Sequence, residues 1–188
     1  MREKQLEQLH IGGTVAPGFE SVKQLFAHNM KTLAEKNAQL CVYVGNERVV
    51  DLWASTTGDT DFSADSLVNV FSSGKSLESI ALASLVAKGL LNYNDTITKH
   101  WPEFGAEGKA DLTVAELMRH EAGLAAFNVS LDPDALLTEN IKQNRVGRVI
   151  EGHGQKFREG DDSRREYHAV TRGWIVNELF RRVDPEHR

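Results

Sequence analysis

At 188 residues the chain is long enough for one domain with a core, and 40% hydrophobic with 26% charged residues is the make-up of an ordinary globular protein, which excludes disordered and fibrous classes. A formal net charge of −5 argues against a nucleic-acid or anionic-membrane surface, since holding phosphates requires clustered Lys and Arg that acids do not offset. The expected partner is a small molecule or a peptide.

Residues 1–16 read as a polar lead without the apolar stretch of a secretion signal, and no run long enough to span a bilayer follows, so the expectation is a cytoplasmic or unaddressed chain. The remainder, 17–188, reads as one domain. Phe19, Val22, Leu25, Phe26, Met30 and Leu33 recur at steps of three and four, the stripe of an amphipathic helix ending near Asn37. Leu40 to Val44 and Arg48 to Trp53 are β-rich runs around Gly45-Asn46-Glu47 and predict a hairpin. The single cysteine, Cys41, allows no intrachain disulfide and is expected to pack in the core.

A polar loop, Ser55 to Ser66, leads into a strand-like piece at Leu67 to Phe71. From about Ser73 to Lys88 apolar residues face nearly every side, which predicts a centrally buried helix stopped by Gly89. Thr113 with Glu116 is a capping box for a short helix, Val114 to His120, ended by Gly123. Further helices are expected around Thr138 to Ile150 and from about His168 to Arg182, separated by a charge-dense loop, Gln155 to Glu166. With only two clear strands, the sheet implied by this pattern looks unfinished.

Phe71-Ser72-Ser73-Gly74-Lys75 contains the one Ser-x-x-Lys of the chain. Such a pair arises on the order of once by chance at this length, so its position carries the weight. Three residues apart on a first helical turn, the Lys75 amine and the Ser72 hydroxyl share a side, and the free N–H groups and dipole of the helix start favour an alkoxide there. A serine hydroxyl needs a base, and lysine serves only where burial or nearby positive charge makes its neutral form accessible. Burial of the helix start is expected to do this. The plain alternative is that Ser72 caps the helix and Lys75 is a surface residue. Gly74-Lys75-Ser76 also raises a phosphate-binding loop, but the glycine required five residues earlier is Asn69. His120 and His168 invite a serine–histidine pairing, although His120 is better placed to anchor the turn near Gly123. No spacing suits a metal, and no cofactor is expected.

Val70-Phe71-Ser72-Ser73-Gly74-Lys75-Ser76 before an apolar helix, followed by Leu112-Thr113-Val114-Ala115-Glu116-Leu117-Met118-Arg119-His120-Glu121-Ala122-Gly123-Leu124, resembles the β-lactamase-related serine hydrolases. Val50-Asp51-Leu52-Trp53 and Tyr167-His168-Ala169-Val170-Thr171 with Gly173-Trp174 look like the esterase-like branch of that family, which also includes class C β-lactamases and D-Ala-D-Ala carboxypeptidases. The resemblance implies an α+β fold of β-lactamase and transpeptidase type, an antiparallel sheet flanked by helices, here without its C-terminal strands. It also implies Ser72 as acylated nucleophile, Lys75 as general base and Tyr167 as the phenol that relays the proton to the leaving group. Ala169 stands where the lactamase form has an amide, which turns the expectation toward an ester or other small acyl substrate.

The segment from Arg158 to Glu166 is longer and more charged than the Pro-Gly-Thr turn of the family. A third motif, a His- or Lys-led triplet with Gly on a sheet strand, is not reached by Arg188. That strand would give the second oxyanion-hole N–H, and loss of one such donor costs about 10²- to 10³-fold in rate. Two functions follow: an ester or amide hydrolase working through a Ser72 acyl-enzyme, or a catalytically inactive fragment or binding module of the same fold.

Overall fold

The computed structural model describes residues 9–59, 61–157, 160 and 164–186. The single domain expected over 17–188 divides between Asn69 and Val70 into two compact units.

The first unit is a three-stranded antiparallel sheet with one helix: β1 (His10–Val15), α1 (Glu20–Thr32), β2 (Asn37–Val44) and β3 (Glu47–Ser55), in the sheet order β1-β3-β2. The expected hairpin forms, closed at Gly45 with φ 59°, a left-handed conformation that glycine adopts without strain. β1 falls within residues read as polar lead. It pairs with β3 from His10 opposite Ser55 to Val15 opposite Val50. Two glycines hide it. A Cβ on Gly12 would come within 2.6 Å of the Trp53 ring, and Gly13, at φ 98°, would bring one within 2.0 Å of the Asp51 carbonyl oxygen. Bare backbone is required there, and it erases the alternation by which a strand is recognised.

Val49, Val50 and Leu52 are buried under Phe19, Val22 and Phe26, so the apolar stripe of α1 faces β3 as its spacing predicts. The stripe is narrower than expected, with Leu25 and Leu33 exposed. Cys41 is exposed, contrary to the expected core position. Side chains alternate across a strand, and it is Leu40 and Val42 that pack inward from β2.

The second unit is helical. No strand forms at Leu67 to Phe71; Phe71–Gly74 is a 3-10 turn, and α2 (Lys75–Ala87) begins after it. Only one stripe of α2 is covered. Leu82 and Leu85 are buried, but Leu77 and Ile80 are 67% and 65% exposed, so α2 is not enclosed as its composition predicts. The Thr113–Glu116 capping box starts α3 (Val114–Met118), with the Glu116 N–H donating to Thr113 Oγ1 at 3.2 Å and the Thr113 N–H to Glu116 Oε2 at 2.9 Å.

The single helix expected over 138–150 is broken into α4 (Thr138–Lys142) and α5 (Arg145–Glu151) at Asn144, whose φ is 60°. This turn aims the Asn144 amide at Glu151 and brings its oxygen 2.7 Å from Arg182 Nη2. α6 (Thr171–Val183) completes the unit. Its Ile175 and Leu179 pack with Leu82, Leu85, Trp101, Phe104 and Ile150 in one buried cluster. Beside that cluster Lys109 is 0% exposed. Its three ammonium hydrogens are matched by three carbonyls, those of Ala106 at 2.7 Å, Glu151 at 3.0 Å and His153. Among the described residues no helix is long and apolar enough to cross a membrane.

Candidate active site

Phe71 holds a left-handed φ of 45°, which folds the chain into the 3-10 turn carrying Ser72. The Lys75 N–H bonds back to the Ser72 carbonyl, and side chains three apart in such a turn eclipse one another. The co-facing of Ser72 and Lys75 therefore arises from a 3-10 turn rather than from the first turn of an α-helix.

Tyr167 reaches the pair from the segment before α6. The backbone on both sides of it is bonded to the turn after α3: the Glu166 N–H donates to the His120 carbonyl at 3.0 Å, and the His168 N–H to His120 Nδ1 at 2.9 Å. His168 is 0% exposed and fully engaged, with Nδ1 on the Glu166 carbonyl at 2.5 Å and Nε2 accepting the Leu124 N–H at 2.9 Å. A serine–histidine pairing is thus not formed by His168. The charged loop ahead of Tyr167 is tied to the same region by Arg165 to Glu121 at 2.9 Å and Arg164 to Glu116 at 3.5 Å. Arg158, Glu159 and 161–163 lie outside the described residues.

Ser72, Lys75 and Tyr167 are brought together. The phenol lies close to both Ser72 and Lys75, and the neighbouring Ser72 hydroxyl first, opposed by desolvation and joined by the charge of Lys75, lowers it below the ordinary tyrosine value. Lys75 Nζ lies 5.4 Å from the Tyr167 ring centroid and donates to the Ala169 carbonyl at 2.6 Å. Ala169, expected to matter only for a missing side chain, contributes its backbone oxygen.

Burial, the expected means of activating the lysine, is not what the structure provides. Ser72 is exposed, Lys75 is partly buried and Tyr167 is 54% exposed. The side of α2 bearing Leu77 and Ile80 is open. Sequence reasoning also missed Glu78 and Arg172, an ion pair at 3.1 Å beside the site, and the neutral state of His120. Desolvation first, then the positive charges of Arg172, His168, Lys75 and Arg165, press the His120 imidazole down to about 4.

Ser72, Lys75 and Tyr167 thus stand together on a scaffold of β-lactamase and transpeptidase type. The β-lactamase family model matches residues 22–187, and the chain belongs to that family. It is 33% identical over 174 residues to the esterase/beta-lactamase LipL of Mycobacterium tuberculosis (strain ATCC 25618 / H37Rv), a match taking in 91% of this chain and 39% of LipL. Among solved structures, a penicillin-binding protein homolog from Caulobacter crescentus aligns at a TM-score of 0.79 and 30% identity over 93% of this chain and 46% of its own. A family VIII carboxylesterase aligns at 0.76 and 31% over the same shares. The chain therefore spans less than half the length of these relatives.

Proposed function

We propose that the chain carries the nucleophile, base and phenol of a serine hydrolase acting on an ester or amide through an acyl-enzyme on Ser72. The observation supporting this is the convergence of the Ser72 hydroxyl and the Lys75 amine on the Tyr167 phenol, with Lys75 held by the Ala169 carbonyl. Ser72 Oγ attacks the acyl carbon while its proton passes to the Lys75 and Tyr167 pair. The carbonyl π electrons move to oxygen, and the resulting oxyanion is met by the Ser72 N–H. Collapse expels the alcohol or amine, which takes the proton from the same pair, and water then hydrolyses the ester on Ser72 by the reverse relay. The family VIII carboxylesterase neighbour supports an ester over a lactam, as does the alanine at 169.

The exposure of Tyr167 and of Ser72 favours one second reading, a binding or single-acylation module of the same fold. Turnover separates the two. The hydrolase reading expects repeated release of p-nitrophenol from p-nitrophenyl acetate, abolished in Ser72→Ala and slowed about 10²- to 10⁴-fold in Lys75→Met. Release that stops at one equivalent per chain supports the module. A fluorophosphonate probe that labels residues other than Ser72 overturns both.

A further inference from the structure

Arg172 stands at the second position of α6, where the helix dipole and the free N–H groups disfavour a cation, yet its residue is only 5% exposed. A guanidinium in such a place persists only when its hydrogens are matched, and carboxylate and carbonyl oxygens take up four of the five. Nε and Nη2 reach Glu78 Oε2 at 3.2 and 3.1 Å, and Nη2 also reaches the Lys75 carbonyl at 3.4 Å. Nη1 faces the Met118 carbonyl at 3.2 Å and His120 Nε2 at 3.1 Å. One flat group thus joins the first turn of α2 to the end of α3 and to the histidine that holds the backbone on either side of Tyr167.

We infer that Arg172 is a positioning residue that sets the separation between the turn carrying Ser72 and Lys75 and the segment carrying Tyr167. The inference rests on the reading of Ser72 as nucleophile. Arg172 touches none of the reacting atoms; it acts through the Lys75 backbone, Glu78 and His120. A lysine at this place keeps the charge but offers three hydrogens from a single point, so it cannot reproduce the planar fork that meets Glu78 and the Lys75 carbonyl on one side and the Met118 carbonyl on the other. Glu78 completes the device by fixing the fork from α2 with its side chain 26% exposed.

The test compares Arg172→Lys, Arg172→Met and Glu78→Gln with the parent chain, after circular dichroism has shown which variants fold. The first readout is the ultraviolet titration of Tyr167, isolated by replacing Tyr43 and Tyr93 with phenylalanine. Loss of the brace separates the phenol from Ser72 and Lys75, so its midpoint rises toward that of free tyrosine in both Arg172 variants. The second is fluorophosphonate labelling of Ser72, whose limiting rate falls about tenfold to hundredfold while the probe concentration for half-maximal rate stays the same. Glu78→Gln, on the half-open side of α2, slows labelling several-fold and decides the matter if the Arg172 variants do not fold.

Folded variants with the parent's tyrosine midpoint and labelling rate overturn the inference. A rate lost equally in Arg172→Lys and Arg172→Met supports positioning, and full rescue by lysine overturns it in favour of charge alone. Absence of Ser72 labelling in the parent removes the functional reading, while the tyrosine titration still decides whether Arg172 governs where the phenol sits.

Discussion

His120 turns both ring nitrogens toward donors, the His168 N–H at one and the Arg172 guanidinium at the other. A neutral imidazole accepts at one nitrogen only, and an imidazolium would direct N–H groups at both, so protonation is opposed by geometry as well as by burial. The unfolded chain takes up this proton near the ordinary 6.5, the folded chain near about 4. Between those values the unfolded state binds more protons; the stability is complete above the first and drains away as pH falls through the second. His168, lowered chiefly by desolvation, acts in the same sense. Urea midpoints of the parent should therefore fall from about pH 7 to about pH 4.5, and fall less steeply in His120→Gln. Identical slopes would remove His120 from this account. Ser72, Lys75 and Tyr167 were legible in the sequence because each lies in a short ordered motif. Glu78 and Arg172 were not, since they meet across 94 residues and only folding shows why a cation opens α6.

Where an element is built from local periodicity it was legible: the β2–β3 hairpin, the inward stripe of α1 and the capping box of α3. Where the backbone itself is the requirement it was not. β1 has glycine at the two places where side chains would mark its faces, and 138–150 reads as one helix because a left-handed Asn144 leaves no trace in hydrophobic spacing. The expected strand at Leu67 to Phe71 is the converse, an apolar run whose large side chains stay exposed and that forms no strand. Gly13 offers a direct test. Gly13→Ala forces a side chain both into a strained φ and against the Asp51 carbonyl, whereas Gly18, at φ 91°, has nothing within 4 Å of its Cβ position. Gly18→Ala should cost about 1 kcal/mol from conformation alone and Gly13→Ala about 2 kcal/mol or more beyond it. Equal losses in urea unfolding would mean that β1 tolerates the displacement.

For the molecule as a whole, the family was legible because four stretches occur in a fixed order along most of the chain, and the match over residues 22–187 agrees. The division at Asn69 was not, since composition does not change there and each unit closes on its own buried cluster. The open stripe of α2 was concealed for the same reason: hydrophobicity on every side says what a helix can bury, and only packing says what it does bury. The enclosed amine of Lys109 gives the second unit an internal clock. Amine-directed acetylation in native buffer should modify Lys99, whose side chain is 59% exposed, and spare Lys109. Along a urea series the Lys109 acetyl mass should then appear in step with loss of helical signal, so one peptide reports the opening of that core in a mixture where optical methods see every protein at once. Modification of both lysines at equal rates without urea would show that the three-carbonyl seat opens on its own.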